Sequence, residues 1–374
     1  MRIDGLKIKN LYFLQSMGCH IGPTFLRESL RNERLFFDLA KLFLHTNREL
    51  FKKNYKCDKQ KPMKILTLII SLLTLNNIAV ADEINISKQV NGTENKKCNY
   101  YLNGDLKQGS KIIMFLGGTG IYTTGSEYAD HPIVSILHDE KKALILTIDK
   151  PGITYSKNSP NNLVLDESIY DLYTQDDLIN CTINALNSVI TENQELKTSD
   201  IYFLAHSEGT QIATRTLKKI IRDNLVLQAQ IKGFFLSGLV MNSWKDIINF
   251  QINDPKENQS FWTAFQNKDD STLKSYGDLA YKYWSNILST ESNEDTLKSL
   301  VALKPNCFFS IYQGLNDENT IVKPVMDFES WNRQQKKQGL DSLRIASRYY
   351  QADHNLNLAA MNDIIFALET YLGN

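Results

Sequence analysis

The stretch IYFLAHSEGTQIAT, residues 201–214, constrains the fold more than any other part of the chain. It begins with a short apolar run of β-forming residues and ends with helical periodicity, and Ser207 stands at the junction. A sharp strand-to-helix turn of this kind needs small side chains two positions before and after the serine, and Ala205 and Gly209 meet that need. The stretch therefore predicts a nucleophile elbow, which lifts the hydroxyl of Ser207 clear of a sheet.

An ordinary helix N-cap, where serine is also favoured, would give a similar local pattern, so the surrounding sequence must decide. Apolar runs typical of fully buried strands alternate with helical segments on both sides of residues 201–214. This alternation predicts an α/β fold with a mostly parallel, doubly wound sheet and helices on both faces. The predicted strands outside the elbow are residues 100–102, 111–116, 143–148, 231–238, 307–314 and 342–350.

Three helices are predicted between these strands and at the end of the chain. They cover about residues 171–191, 323–337 and 356–372. A further helix is expected to begin at His131, and a polar leader is expected after Asp82.

The alternation stops between residues 241 and 306, where no strand is convincing and aromatic side chains are scattered through polar helical sequence. An insertion of this length between two core strands predicts a helical lid over an active site. The alternative is that the aromatic side chains only pack the insertion onto the body of the protein.

Residues 63–81, MKILTLIISLLTLNNIAVA, resemble a secretory signal peptide. A lysine precedes an apolar run, which is too short to span a bilayer comfortably, and Ala79-Val80-Ala81 forms a small-x-small cleavage site. We therefore expect an exported protein, periplasmic or secreted, with no stable membrane span once the peptide is cleaved. The basic leader 1–62 then lies upstream of the true start at Met63; alternatively, it precedes a signal anchor that tethers the protein to a membrane.

Charge and cysteine content restrict the partners of the predicted domain, residues 82–374. The leader 1–62 carries 13 Lys and Arg against 6 Asp and Glu, whereas residues 82–374 carry 28 against 36. An acidic body argues against nucleic acid as a partner. The three cysteines of this domain, Cys98, Cys181 and Cys307, allow at most one disulfide within the chain and show no CxxC spacing.

A serine hydroxyl becomes a good nucleophile when a histidine base, oriented by a carboxylate, removes its proton. Of the six histidines only His354 follows Ser207, in a loop directly after the last predicted strand. Asp317 lies in a loop after the preceding strand and is the predicted acid. Asp246 is its main competitor, and Asp353 is adjacent to the histidine and expected to point elsewhere.

A developing oxyanion needs two N–H donors. The amide of Glu208 follows the nucleophile, and the glycine loop after the first buried strand, GGTG, offers Gly118 or Thr119. The same loop could suggest phosphate binding, but its glycine spacing is not that of a nucleotide site and no Lys-Ser/Thr follows. The chemistry needs no metal or other cofactor, and the sequence offers no His/Cys/Asp cluster for one.

Five motifs, in this order, make residues 100–374 resemble an α/β-hydrolase. They are GGTG (an oxyanion loop with Leu116 where many members have His), DKPGITYS, AHSEG, GLND and DHN. The resemblance implies a serine hydrolase that acts on a small acyl substrate. The first interpretation is hydrolysis of a carboxylic ester or thioester through an acyl-enzyme on Ser207. The alternatives are an exported aminopeptidase or other peptidase of the same fold, and a catalytically inactive binding protein.

Overall fold

The computed structural model describes residues 83–93, 96–105, 110–124, 143–156, 158–159 and 163–372. All of them lie in the compact unit that runs from Glu83 to Asn374. The predicted leader 1–62, the predicted signal peptide 63–81 and the helix expected at His131 lie outside these residues and stay predictions. Among the helices described, none combines the length and the apolar character needed to cross a bilayer.

An eight-stranded sheet forms the centre of the described unit. Its order is β1-β2-β4-β3-β7-β8-β9-β10, and the six strands from β4 to β10 run parallel, whereas β1 and β2 are antiparallel to their neighbours. The predicted mostly parallel sheet with flanking helices is therefore confirmed. Its strands are β1 Glu83–Asn91, β2 Lys97–Asp105, β3 Ile112–Leu116, β4 Leu144–Ile148, β7 Ile201–His206, β8 Ile231–Ser237, β9 Phe308–Gly314 and β10 Arg344–Tyr350.

The central strands are apolar at nearly every position because both of their faces are buried. In β3, Met114 faces one hydrophobic core, while Ile113 and Phe115 face a second core on the other side of the sheet. Successive side chains of a strand point to opposite faces, so a strand between two cores needs apolar residues at every position.

The residues after Asp82 were predicted to form a polar leader, and this prediction is wrong. They form strand β1, which pairs along its whole length with β2. An edge strand with one partner keeps polar residues, and its sequence EINISKQVN shows only weak alternation. A small antiparallel pair, β5 Ile153–Tyr155 and β6 Leu163–Leu165, was also not expected after the fourth strand. Three-residue strands are too short to give a periodic signal.

Helices cover both faces of the sheet. The helix predicted from Asp171 begins at Gln175, because Thr174 and Asp177 form a capping box and a separate short helix precedes them. The described helices are α1 Glu167–Tyr170, α2 Gln175–Glu192, α3 Glu208–Arg222, α4 Trp244–Gln251, α5 Pro255–Asn267, α6 Asp270–Leu273, α7 Tyr281–Ser289, α8 Asn293–Leu303, α9 Val322–Lys337 and α10 Leu358–Leu372.

The residues between β8 and β9 fold into α4 to α8, so the region 241–306 is helical. Many of its aromatic side chains pack on one another: Phe261 contacts Trp262, Tyr276 and Trp284 edge to face, with ring centroids 5.1 to 5.3 Å apart. Aromatic pairs in this geometry favour a fixed arrangement beyond their hydrophobic burial. The buried side chains of α4 to α8 belong to the same hydrophobic core as one face of the central sheet.

One disulfide crosslinks the described unit. Cys98 of β2 and Cys181 of α2 are bonded; they are 83 positions apart in sequence, and their Cα atoms are 6.0 Å apart. Cys307 is a buried free thiol, and burial raises its pKa to about 12.

The order of the parallel strands creates a crevice at their carboxyl ends. The chain leaves β3 toward β4 on one side and later returns to β7 on the other side of β3. Ligands of open α/β sheets bind where connections leave adjacent strands in opposite directions. The carboxyl ends of β3 and β7 are therefore the expected position of a site.

Candidate active site

Ser207 occupies a strained turn between β7 and α3. Its φ is 54° and its ψ is −125°, a region that residues with a side chain rarely adopt. Backbone hydrogen bonds hold the turn: the amide of Ser207 donates to Ser237 O at 3.0 Å, and the amide and hydroxyl of Thr210 donate to Ser207 O. The surrounding structure imposes the conformation, as expected of an elbow that exposes a nucleophile.

Gly209 shows why small residues flank the serine. A Cβ atom at this position would lie 2.2 Å from Leu116 O and 2.7 Å from Gly117 O, so the first turn of α3 packs directly on the end of β3. Ala205 is fully buried in the strand before the turn. The small-x-Ser-x-small pattern thus follows from the close approach of two backbones.

Asp317 and His354 are brought together from the loops after β9 and β10. The Nδ1 atom of His354 lies 2.9 Å from Oδ2 and 3.1 Å from Oδ1 of Asp317, and both side chains are buried. The carboxylate also accepts hydrogen bonds from the amides of Asn319 and Thr320, from Thr320 Oγ1 and from Gln313 Nε2. Burial acts to raise the pKa of Asp317, but His354 and Thr320 outweigh it and hold that pKa below its ordinary value.

His354 lies beside the elbow. Its ring centroid is 4.8 Å from that of His206, the residue before Ser207, and a Cβ at Gly238 would approach its Cε1 to 2.7 Å. Among the described residues no hydrogen bond joins Ser207 Oγ to His354, a bond that in many ligand-free enzymes forms only when substrate binds.

The competing acids lie elsewhere. Asp246 lies in the first turn of α4, where its carboxylate accepts a hydrogen bond from the N-cap residue Ser243, and it is exposed. Asp353 is exposed and accepts a hydrogen bond from the amide of Asn355. Neither is bonded to His354.

The predicted oxyanion residues surround Ser207. Glu208 is the first residue of α3, so its amide is one of the unpaired N–H groups at the positive end of a helix. A Cβ at Gly118 would lie 3.1 Å from Ser207 Cβ and 3.4 Å from its Oγ, and Thr119 lines the same cleft as the serine. The glycine loop therefore lies against the nucleophile candidate.

Asp149 anchors the segment that follows the glycine loop. Its buried carboxylate accepts hydrogen bonds from the amide and hydroxyl of Thr124, from Thr123 Oγ1 and from Tyr101 Oη. Burial raises its pKa, and these donors oppose the rise.

Sequence reasoning also missed the side chains of Lys150 and Glu208, which form a buried ion pair at 3.4 Å. The only signal was positional: Lys150 follows the carboxyl end of β4, and Glu208 follows Ser207.

A cleft of about 190 Å³ opens above Ser207. The largest part of its wall comes from the connection after β8 and from α4 and its end, with a smaller part from the segment before α7. Its lining residues are Thr119, Ser207, Val240, Trp244, Ile247, Ile248, Gln251, Ile252, Tyr276, Gly277, Leu279, Trp284, Asn319 and Thr320.

Three features meet at the carboxyl edge of one mostly parallel sheet: a strained serine between strand and helix, a glycine loop from the neighbouring strand, and an acid and a histidine that follow in that chain order. The chain has the α/β-hydrolase fold.

Solved structures similar to this chain include two esterases and a peptidase. An esterase from Pyrococcus furiosus is 15% identical, with 78% of this chain and 90% of that chain covered and a TM-score of 0.48. An acylaminoacyl peptidase from Pyrococcus horikoshii is 10% identical, with 81% and 42% covered and a TM-score of 0.49. An esterase from a Rhodococcus species is 13% identical, with 76% and 98% covered and a TM-score of 0.42. No family model and no curated protein matches the chain.

Proposed function

We propose that the chain is an exported serine hydrolase that cleaves a carboxylic ester or thioester through an acyl-enzyme on Ser207. The observation that carries the proposal is the convergence of the strained Ser207, the Asp317–His354 pair and the glycine loop at one edge of the sheet. An inactive binding protein would not need a carboxylate held on a histidine beside a strained serine.

In this mechanism His354 takes the proton of Ser207 as the hydroxyl attacks the acyl carbon. Asp317 holds the Nδ1–H tautomer of His354 and stabilises the imidazolium that forms. The amide of Glu208 and an amide of the glycine loop, Gly118 or Thr119, donate to the oxyanion. His354 then protonates the leaving group. Water next attacks the acyl-enzyme: His354 takes a proton from the water and returns it to Ser207 as the acid product leaves.

The cleft favours an ester over a peptide with a free amino terminus. No Asp or Glu is among its described lining residues, whereas an aminopeptidase must bind the substrate's ammonium group. Several lining side chains are large and apolar, which suits the acyl part of an ester.

The proposed lid comprises residues 241–306. Support for it comes from Trp244, Ile248 and Trp284, which line the cleft together with Ser207. Closing such a cleft would exclude water from the developing charge.

Export from the cytoplasm is supported by the Cys98–Cys181 disulfide, since disulfides persist mainly in oxidising compartments. Export is also expected from the signal peptide predicted at residues 63–81.

The test compares p-nitrophenyl esters of short acids with aminoacyl-arylamides, using the wild type and a Ser207→Ala variant. We expect the wild type to cleave the esters faster than the arylamides and to be labelled by a fluorophosphonate. Ser207→Ala should lose labelling and about 10⁶-fold in kcat, because no other group can form the acyl-enzyme. A Ser168→Ala variant, which removes an exposed hydroxyl from α1 outside the cleft, is the matched control.

Ester turnover that survives in Ser207→Ala would refute the acyl-enzyme. Faster cleavage of the arylamides would favour the peptidase. A wild type with neither turnover nor labelling would favour the binding protein.

The small cleft predicts a preference for short acyl groups, since pockets for drug-sized ligands usually measure about 300 to 1,000 Å³. Shortening Ile252, a partly buried residue of the cleft wall, should admit longer chains. We expect Ile252→Ala to raise the ratio of kcat/KM for octanoate over butyrate esters about tenfold. Ile345→Ala removes the same atoms from a partly buried position in β10, outside the cleft, and should leave the ratio unchanged.

A further inference from the structure

A buried lysine lies beneath the glycine loop. Its ammonium group donates hydrogen bonds to Gly118 O at 3.0 Å and to Gly120 O at 3.1 Å, and its charge is paired with Glu208 at 3.4 Å. This residue is Lys150, whose side chain is only 6% exposed, while that of Glu208 is fully buried. One cation therefore holds two carbonyl groups of the loop, those of Gly118 and Gly120.

The position of the Gly118 carbonyl determines the direction of the next amide. Gly118 O accepts a second hydrogen bond, from Tyr122 Oη at 2.9 Å, so two donors hold it toward the interior. In a trans peptide the C=O and N–H bonds point in opposite directions. The N–H of Thr119, which shares this peptide plane, is thus directed away from Lys150, and Thr119 itself lines the cleft with Ser207.

Stability alone is a poor explanation for the buried pair. The free energy needed to remove two opposite charges from water is usually as large as the free energy gained from their attraction. Apolar replacements of equal volume are therefore often neutral or stabilising. Burial lowers the pKa of Lys150 and raises the pKa of Glu208, and in each case the partner opposes the effect. In addition, Glu208 Oε1 has no hydrogen-bond partner among the described residues.

The pair does link two parts of the proposed oxyanion hole. Glu208 supplies its backbone amide from the start of α3, and its side chain holds the lysine that fixes the glycine loop. The two donors of an oxyanion hole must be in position before the charge develops, because reorganisation during the reaction would lower the rate of the chemical step.

We propose that Lys150, held by the carboxylate of Glu208, is a positioning residue that fixes the glycine loop with its amide facing Ser207. The proposal rests on the proposed hydrolase function. Lys150 contacts no substrate and takes no part in proton transfer; it acts through the Gly118 and Gly120 carbonyls.

The test uses Lys150→Met, which keeps the length of the side chain and removes the charge and the hydrogen bonds. With a short p-nitrophenyl ester we expect kcat to fall about 10- to 100-fold and KM to stay within about twofold, because an oxyanion contact is made only in the transition state. Amide hydrogen exchange in the segment 117–124 should become at least tenfold faster, while exchange in β7 and β8 stays unchanged.

Lys232→Met is the matched control, since Lys232 also donates to a carbonyl, Ala229 O, and pairs with a carboxylate, but does so at the surface. It should change neither kcat nor exchange in the loop. Glu208→Gln keeps the shape of the partner and should give a loss of kcat that is not additive with that of Lys150→Met.

Three outcomes are decisive. A fall in kcat together with faster loop exchange supports the proposal. Unchanged kcat and unchanged exchange in Lys150→Met, with an active wild type, overturn it and leave the hydrolase function standing. An inactive wild type refutes the hydrolase function, and the exchange measurement then still decides whether Lys150 fixes the loop.

Discussion

An Asp317→Asn variant is expected to lose about four orders of magnitude in kcat, while KM changes far less. The amide would present an N–H group to His354 Nδ1 in place of an oxygen, so the imidazole would hold the tautomer that cannot accept the serine proton. The amide would also lose the charge that stabilises the imidazolium. The amides of Asn319 and Thr320 both donate to Oδ1 and would hold the variant's oxygen there, so its NH2 group would take the place of Oδ2, the atom nearer to His354.

Steady-state kinetics with a short ester would measure this effect, and thermal unfolding would show that the variant is folded. Asp246→Asn is the informative control, because Asp246 was the strongest rival for the role of acid from the sequence and is exposed in α4. It should retain full activity. An Asp317→Asn enzyme within tenfold of the wild type would exclude Asp317 as the orienting acid.

Removing the disulfide is expected to lower the free energy of unfolding by about 4 kcal/mol. Cys98 and Cys181 are separated by 83 positions, so their bond restricts a long loop in the unfolded chain. Both sulfurs are buried, between β2 and α2, and a Cys98→Ala/Cys181→Ala variant also leaves a small cavity.

Denaturant unfolding of the double variant and of the wild type under oxidising conditions would measure the difference. Dithiothreitol should lower the stability of the wild type by a similar amount and leave that of the double variant unchanged. Equal stabilities of the oxidised and the reduced wild type would show that the crosslink contributes nothing. A Cys307→Ala variant keeps the disulfide and controls for loss of a buried cysteine, so dithiothreitol should lower its stability as much as that of the wild type.

The parts of the site that the sequence predicted are those fixed by local backbone geometry and chain order. Two backbones come within contact distance at the elbow, so small residues, Ala205 and Gly209, are needed on either side of Ser207. His354 was predicted because it alone of the histidines follows the serine, and Asp317 was predicted because it follows a strand end. Their hydrogen bond agrees with that order.

The parts that were missed depend on pairings between distant residues. Lys150 and Glu208 are 58 positions apart, and a lysine in a turn gives no indication that it is buried. The bond between Cys98 and Cys181 was one of three possible pairs, and only the packing of α2 on β2 selects it. The edge strand β1 has too few apolar residues on a single face to be distinguished from a polar segment.

The spread of the candidate site along the chain has a consequence for when activity can appear. The glycine loop, the serine, the acid and the histidine come from the ends of β3, β7, β9 and β10, and the last of these strands is near the carboxyl terminus. Contacts between such distant residues form late in folding, because the chain must first lose the conformational entropy of closing long loops. If the exported chain that we propose folds only after export, the site would be inactive in the compartment of synthesis, and hydrolysis would begin only after the whole sheet had formed.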